Sequence, residues 1–98
     1  VKRARFVAAA RRELLAEVAY YNVAQDGLGA RFASAVEEAT VRALAFPFAG
    51  SPSPASTRRV LVKDFPFSLF YRPEDSGIVI FAVANYARLP GYWRGRAR

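Results

Sequence analysis

At residues 47–57 the apolar repeat of this chain changes period, and that switch limits its possible folds more than any other feature. Before it, Phe32, Val36, Ala39, Ala43 and Phe46 recur at i, i+4, i+7, i+11 and i+14, the stripe of one helix face. After it, "RRVLVKDF", "FSLFYR" and "GIVIFAVAN" read as three strands, joined around Asp64 to Pro66 and by the turn-rich "PEDSG". The segment between, "PFAGSPSPAST", holds three prolines and three serines. It reads as a loop inside one domain rather than a linker between two.

Upstream of the stripe, "RARFV" at residues 3–7 suggests a short opening strand with Phe6 and Val7 as its apolar part. "AAARRELLAEVAYYNVAQ" follows with good helix formers, and Leu14, Val18 and Tyr21 share one face. Tyr20 lies about 100° from Tyr21 around the helix, so it falls at the rim while Tyr21 packs inward. Glu13, Glu17, Glu37 and Glu38 are expected to face solvent. "DGLG" at residues 26–29 breaks the helix with glycines that tolerate positive φ. Two helices joined so closely form an antiparallel hairpin. Neither hairpin nor meander can hide its apolar face alone. The expected fold is therefore α+β, a two-layer β-α-α-β-β-β domain over residues 1–98 with the hairpin packed on an antiparallel sheet.

Composition removes several kinds of chemistry. The chain has no cysteine, which excludes disulfides and thiolate metal sites and fits a cytoplasmic protein. It has no histidine, which excludes the commonest general base near neutral pH and every His-containing triad. Arg11 and Arg12 interrupt the early apolar run, so neither a signal peptide nor a membrane span is expected. Net charge is +7, with eight basic and three acidic side chains in residues 51–98. Thirteen of the fifteen basic residues are arginine, whose planar fork suits phosphates, carboxylates and stacked contacts.

Four stretches carry a resemblance. "ELLAEVAYYN", "GLGARFASAVEEA", "RRVLVKDFPFSLFYR" and "IVIFAVANYARLPGYWRGR" resemble, in order and spacing, the RelE/ParE toxin family of type II toxin-antitoxin modules. The resemblance implies the β-α-α-β-β-β fold and a plasmid-stabilisation or addiction role. RelE-like members cleave mRNA on the ribosome with clustered cations and a proton donor; ParE-like members poison DNA gyrase by binding. Where RelE-like ribonucleases tend to place a catalytic arginine in the second meander strand, this chain has Ser68. Where they commonly end the last strand in an arginine, it has Tyr86. Asn85 stands where the ParE branch often has histidine. The resemblance thus points to the ParE-like branch, with no catalytic residue, cofactor or metal. The alternatives are a RelE-like endoribonuclease and a basic DNA-binding module.

Candidate residues for binding a target or antitoxin follow from charge and aromaticity. Arg58 and Arg59 point to opposite faces of their strand, and Lys63 shares the face of Arg59. Arg72 and Arg88 add charge, and Asp64 beside Phe65-Pro66 suits a turn. From Tyr86 onward, Tyr86, Tyr92 and Trp93 alternate with Arg88, Arg94, Arg96 and Arg98, without an acid. Such residue types are enriched at binding hot spots. Trp93 is expected to anchor this segment while Arg94, Arg96 and Arg98 remain free. The resemblance implies a cognate antitoxin and gyrase as partners. It implies no membrane and no sequence-specific DNA binding by the toxin alone. Homodimer and toxin-antitoxin hetero-oligomer are both open as assemblies.

Overall fold

A computed structural model describes all residues, Val1–Arg98. Strand β1 (Arg3–Phe6) leads into helices α1 (Ala8–Ala24) and α2 (Leu28–Ala45). Strands β2 (Ser51–Ser53), β3 (Thr57–Val62), β4 (Phe67–Glu74) and β5 (Gly77–Asn85) follow, and a 3-10 turn occupies Arg94–Ala97. The expected α+β architecture is observed, with the sheet in the order β1-β5-β4-β3-β2.

Two details of the sheet correct the sequence reading. Strand β1 pairs parallel with β5, Arg3 opposite Gly77 and Phe6 opposite Ile80, so the sheet is mixed rather than antiparallel throughout. Parallel pairing follows from the long helical crossover between the two strands. The supposed loop also contributes β2, which pairs antiparallel with β3 through Ser51–Arg59 and Ser53–Thr57. Pro52 is tolerated because β2 is an edge strand, where a missing N–H breaks no ladder.

The hairpin covers one sheet face. Phe32, Val36, Ala39 and Ala43 are buried as expected, against Phe67, Leu69 and Ile80 among others. Phe46 departs from the stripe and is 69% exposed. Helix α2 ends at Ala45, and Phe46 has left the helical rotation at φ −132°, ψ 71°, so the periodicity no longer aims it inward. Tyr21 packs against the core with its ring 5.2 Å from those of Phe32 and Phe65, whereas Tyr20 is exposed. The turn between the helices depends on Gly27 at φ 84°. Gly29 is buried against Val18 and Asn22 of α1, and its N–H donates to Asn22 Oδ1 at 2.9 Å. A side chain there would push the helices apart.

The opposite sheet face is also buried. Val79, Phe81, Ala82 and Ala84 form a second, smaller core with Trp93 and Ala97, and Phe70 packs against it. Its cover is the segment 86–97, which we call the strap. Strand β5 is consequently buried on both faces from Gly77 to Ala84. Between β4 and β5 the register steps from Tyr71–Ile80 to Phe70–Ala82, leaving Phe81 as the extra residue of a bulge. Asp64, at φ 68°, makes the turn between β3 and β4, as its residue type suggested.

Candidate binding cleft

Between the strap and the ends of β3, β4 and β5 lies a cleft of about 350 Å³. Its polar lining comes from Ser53, Arg59, Ser68, Asn85, Tyr86 and Arg88, and the strap wall carries Tyr92 and Trp93. No Asp or Glu lines it.

Each residue reaches the cleft by a local cause. Arg59 alternates outward from β3, away from the helices, and its Nε donates to Ser68 Oγ at 2.8 Å. Ser68 is itself buried. The Arg59 guanidinium sits 5.7 Å from the centre of the Tyr86 ring, and neither of its Nη atoms has an acceptor in the protein. Asn85 Oδ1 accepts the Ala87 N–H at 2.8 Å, and its main-chain oxygen accepts from Arg88 at 3.1 Å. This side-chain-capped turn swings Arg88 back over the strap, 4.0 Å from the centre of the Tyr92 ring. Trp93 is 1% exposed and stacks on Phe70 at 4.5 Å, so it holds the strap down and builds the cleft wall. Burial, and secondarily the bond to Glu13, pushes the Tyr92 hydroxyl well above the usual phenol range.

Six of the sequence candidates therefore meet: Arg59, Asn85, Tyr86, Arg88, Tyr92 and Trp93. The others lie elsewhere. Arg58 Nη1 donates to the carbonyls of Phe48 and Gly50, both at 2.9 Å, and pins the chain leaving α2. Arg72 donates to Ala97 O at 2.8 Å and to Ala55 O, tying the strap and the β2–β3 turn to the sheet. Lys63 does not share the face of Arg59. Strand β3 ends at Val62, so alternation stops before Lys63, which lies beside Arg31 and Glu38 of α2. Arg94 is exposed on the 3-10 turn.

Arg96 is not free, and Glu13 does not face solvent. Arg96 Nη1 lies 2.8 Å from Glu13 Oε1 and 3.0 Å from Phe81 O, and the Glu13 side chain is only 16% exposed. Glu13 is the residue the sequence reading missed. It lies one turn after buried Ala10 and beside half-buried Leu14, at the margin of the inward face of α1. Nothing in the local pattern announces a partner more than eighty residues away.

Chemically, the cleft offers two arginines without ion pairs, two serine hydroxyls, an amide and an exposed phenol. Only Arg5 and Arg96 of the fifteen Lys and Arg side chains form salt bridges, with Glu74 and Glu13. A concave, acid-free surface of this kind favours an anionic or planar group. No carboxylate or imidazole stands in it to take a proton.

Two helices packed on a five-stranded mixed sheet are the architecture of the RelE/ParE fold, the class of small toxins to which the chain conforms. A family model described as the ParE toxin of the type II toxin-antitoxin system, parDE, matches residues 4–90, and the chain belongs to that family. It is thus the toxin component of such a module, with an antitoxin as its implied partner. No curated protein matches the chain. No helix is long and apolar enough to cross a membrane.

Proposed function

We propose that this toxin acts in the cytoplasm by binding and poisoning DNA gyrase, without catalysis of its own, and that a cognate antitoxin neutralises it in a plasmid-stabilisation module. The observation that carries the reading is the cleft: Arg59 and Arg88 without anionic partners, and no proton acceptor beside them. Binding needs only complementary charge and shape, and the concave cleft with its unpaired arginines supports that reading. An acidic antitoxin segment that folds on binding suits the unpaired arginines. The direct test is a supercoiling assay with purified gyrase. The wild-type chain stops supercoiling, and the double variant Arg59→Ala, Arg88→Ala requires at least about tenfold more protein, as expected for two lost charge-assisted contacts. Undiminished supercoiling at a large excess of folded wild-type toxin would overturn the reading.

A RelE-like endoribonuclease is the second reading, favoured by the convergence of the Arg59 cation and the Tyr86 phenol in one cleft. That pair, with Arg88 as a second cation, would have to stabilise the phosphorane and handle the proton without a carboxylate or imidazole. Primer extension on translated mRNA separates the two: codon-positioned cuts support the ribonuclease, and their absence beside gyrase inhibition supports the poison.

A further inference from the structure

We propose that Glu13 is a positioning residue for the cleft, a clasp that reaches from the helical layer past the sheet edge and holds the strap closed through Tyr92 and Arg96. The need for such a clasp is built into the sheet. Strand β1 stops at Phe6, and the last bond on that side of β5 is Val7 N–H to Ile80 O. From the bulge at Phe81 onward, β5 has no neighbouring strand on that edge. Its exposed groups are met by side chains instead. Glu13 Oε1 accepts the Val83 N–H at 3.1 Å, and Arg96 Nη1 donates to Phe81 O at 3.0 Å.

The same carboxylate then binds the strap. Oε1 accepts from Arg96 Nη1 at 2.8 Å, Oε2 accepts from Arg96 Nη2 at 3.2 Å, and Oε2 also accepts the Tyr92 hydroxyl. One acid thus holds a backbone amide, a phenol and a two-pronged guanidinium. The bonds to Tyr92 and Arg96 are the only hydrogen bonds between the helical layer and the strap. Tyr92 and Trp93 form the cleft wall, and Tyr92 is the platform for Arg88. A carboxylate outside the cleft therefore sets the position of one of the cleft's two arginines, Arg88. Tyr92 and Arg96 lie beyond residue 90, where the family match ends, so family membership alone does not imply this arrangement.

The experiment uses the full chain and its single tryptophan, Trp93, which reports the strap separately from the bulk of the fold. In Glu13→Ala, acrylamide quenching of Trp93 and amide exchange at Val83 both rise at least about tenfold, as expected from losing hydrogen bonds to a charged group. Amides in the β3–β4 ladder keep their protection. Arg96→Gln loosens Trp93 while Val83 stays protected by Glu13, and Glu17→Ala changes neither. The charge-reversed pair Glu13→Arg, Arg96→Glu does not restore the clasp, because Val83 N–H then faces a donor. The proposal fails if Glu13→Ala leaves Trp93 and Val83 as in wild type, if all amides lose protection together, or if the reversed pair restores both signals. The consequence for gyrase rests on the function proposed above: an opened clasp raises the inhibitory dose. Opened-clasp variants that inhibit at the wild-type dose overturn the positioning role, whereas an inactive wild type overturns only the gyrase reading.

Discussion

Replacing Trp93 by Ala tests whether the second core is a structural necessity. The indole is 1% exposed and stacks on Phe70 with planes 27° apart. A buried tryptophan removes up to about 250 Å² from water. At about 25 cal/mol per Å² that area is worth about 6 kcal/mol. The unfolded chain already hides part of it, which brings the expected loss to about 4 kcal/mol. A domain of this length has about 5–15 kcal/mol of total stability, so the loss is a large fraction. The strap can also detach while the rest stays folded, which limits the loss to its own docking free energy. Urea unfolding followed by circular dichroism distinguishes the two. A loss of about 4 kcal/mol at constant m-value means that the strap unfolds with the domain, and a smaller loss with a reduced m-value means that it has already come off. A loss under about 1 kcal/mol with an unchanged m-value would refute the second core as a source of stability.

Removing residues 94–98 takes away Arg96 and buried Ala97, so a midpoint shift corresponding to about 2 kcal/mol is expected in the same urea titration. Tyr71→Phe deletes the hydroxyl that donates to Pro47 O at 2.8 Å and leaves that carbonyl without this donor, for a loss of about 1 kcal/mol by thermal unfolding. Gly29→Ala forces a methyl against Val18 and Asn22 and lowers stability by about 1–3 kcal/mol, in spite of alanine's better helix propensity. The raised Tyr92 hydroxyl gives a pH dependence of defined sign. Its contribution is complete below the ordinary phenol value of about 10 and declines as pH rises past it, because only the unfolded chain then readily loses the proton. Thermal midpoints between pH 8 and 11 check this, and Tyr92→Phe flattens the decline.

The sequence revealed the layers and their order because those depend on periodicity. Of the five stripe positions the four that lie on α2 are buried, and the three meander strands pair as their alternation requires. What it hid depended on where regular elements stop. Phe46 and Lys63 each lie one residue past an element end, so a rule that held up to Ala45 and Val62 no longer aimed them. Strand β2 is three residues with a proline at its centre, too short to display a period. One further signal lies in β5: "IVIFAVA" is apolar at consecutive positions, the pattern of a strand buried on both faces. Read that way, it calls for a second cover, which the Tyr92–Trp93 pair provides. The cleft was half legible, since its aromatic and arginine residues stood out by type. Which arginines are occupied elsewhere depended on contacts across more than eighty residues for Arg96, and no local pattern encodes those.

The pairing of β1 with β5 also sets an order of events during synthesis. Arg3 finds its partner Gly77 only after the intervening residues have been made, and the strap reaches its seat later still. Contacts so distant in sequence form slowly and late. Until residues 77–97 have emerged, the nascent chain therefore lacks both the paired edge of its sheet and the wall of its cleft. The cleft is complete only once the strap, the last-made part of its wall, has docked on the second core.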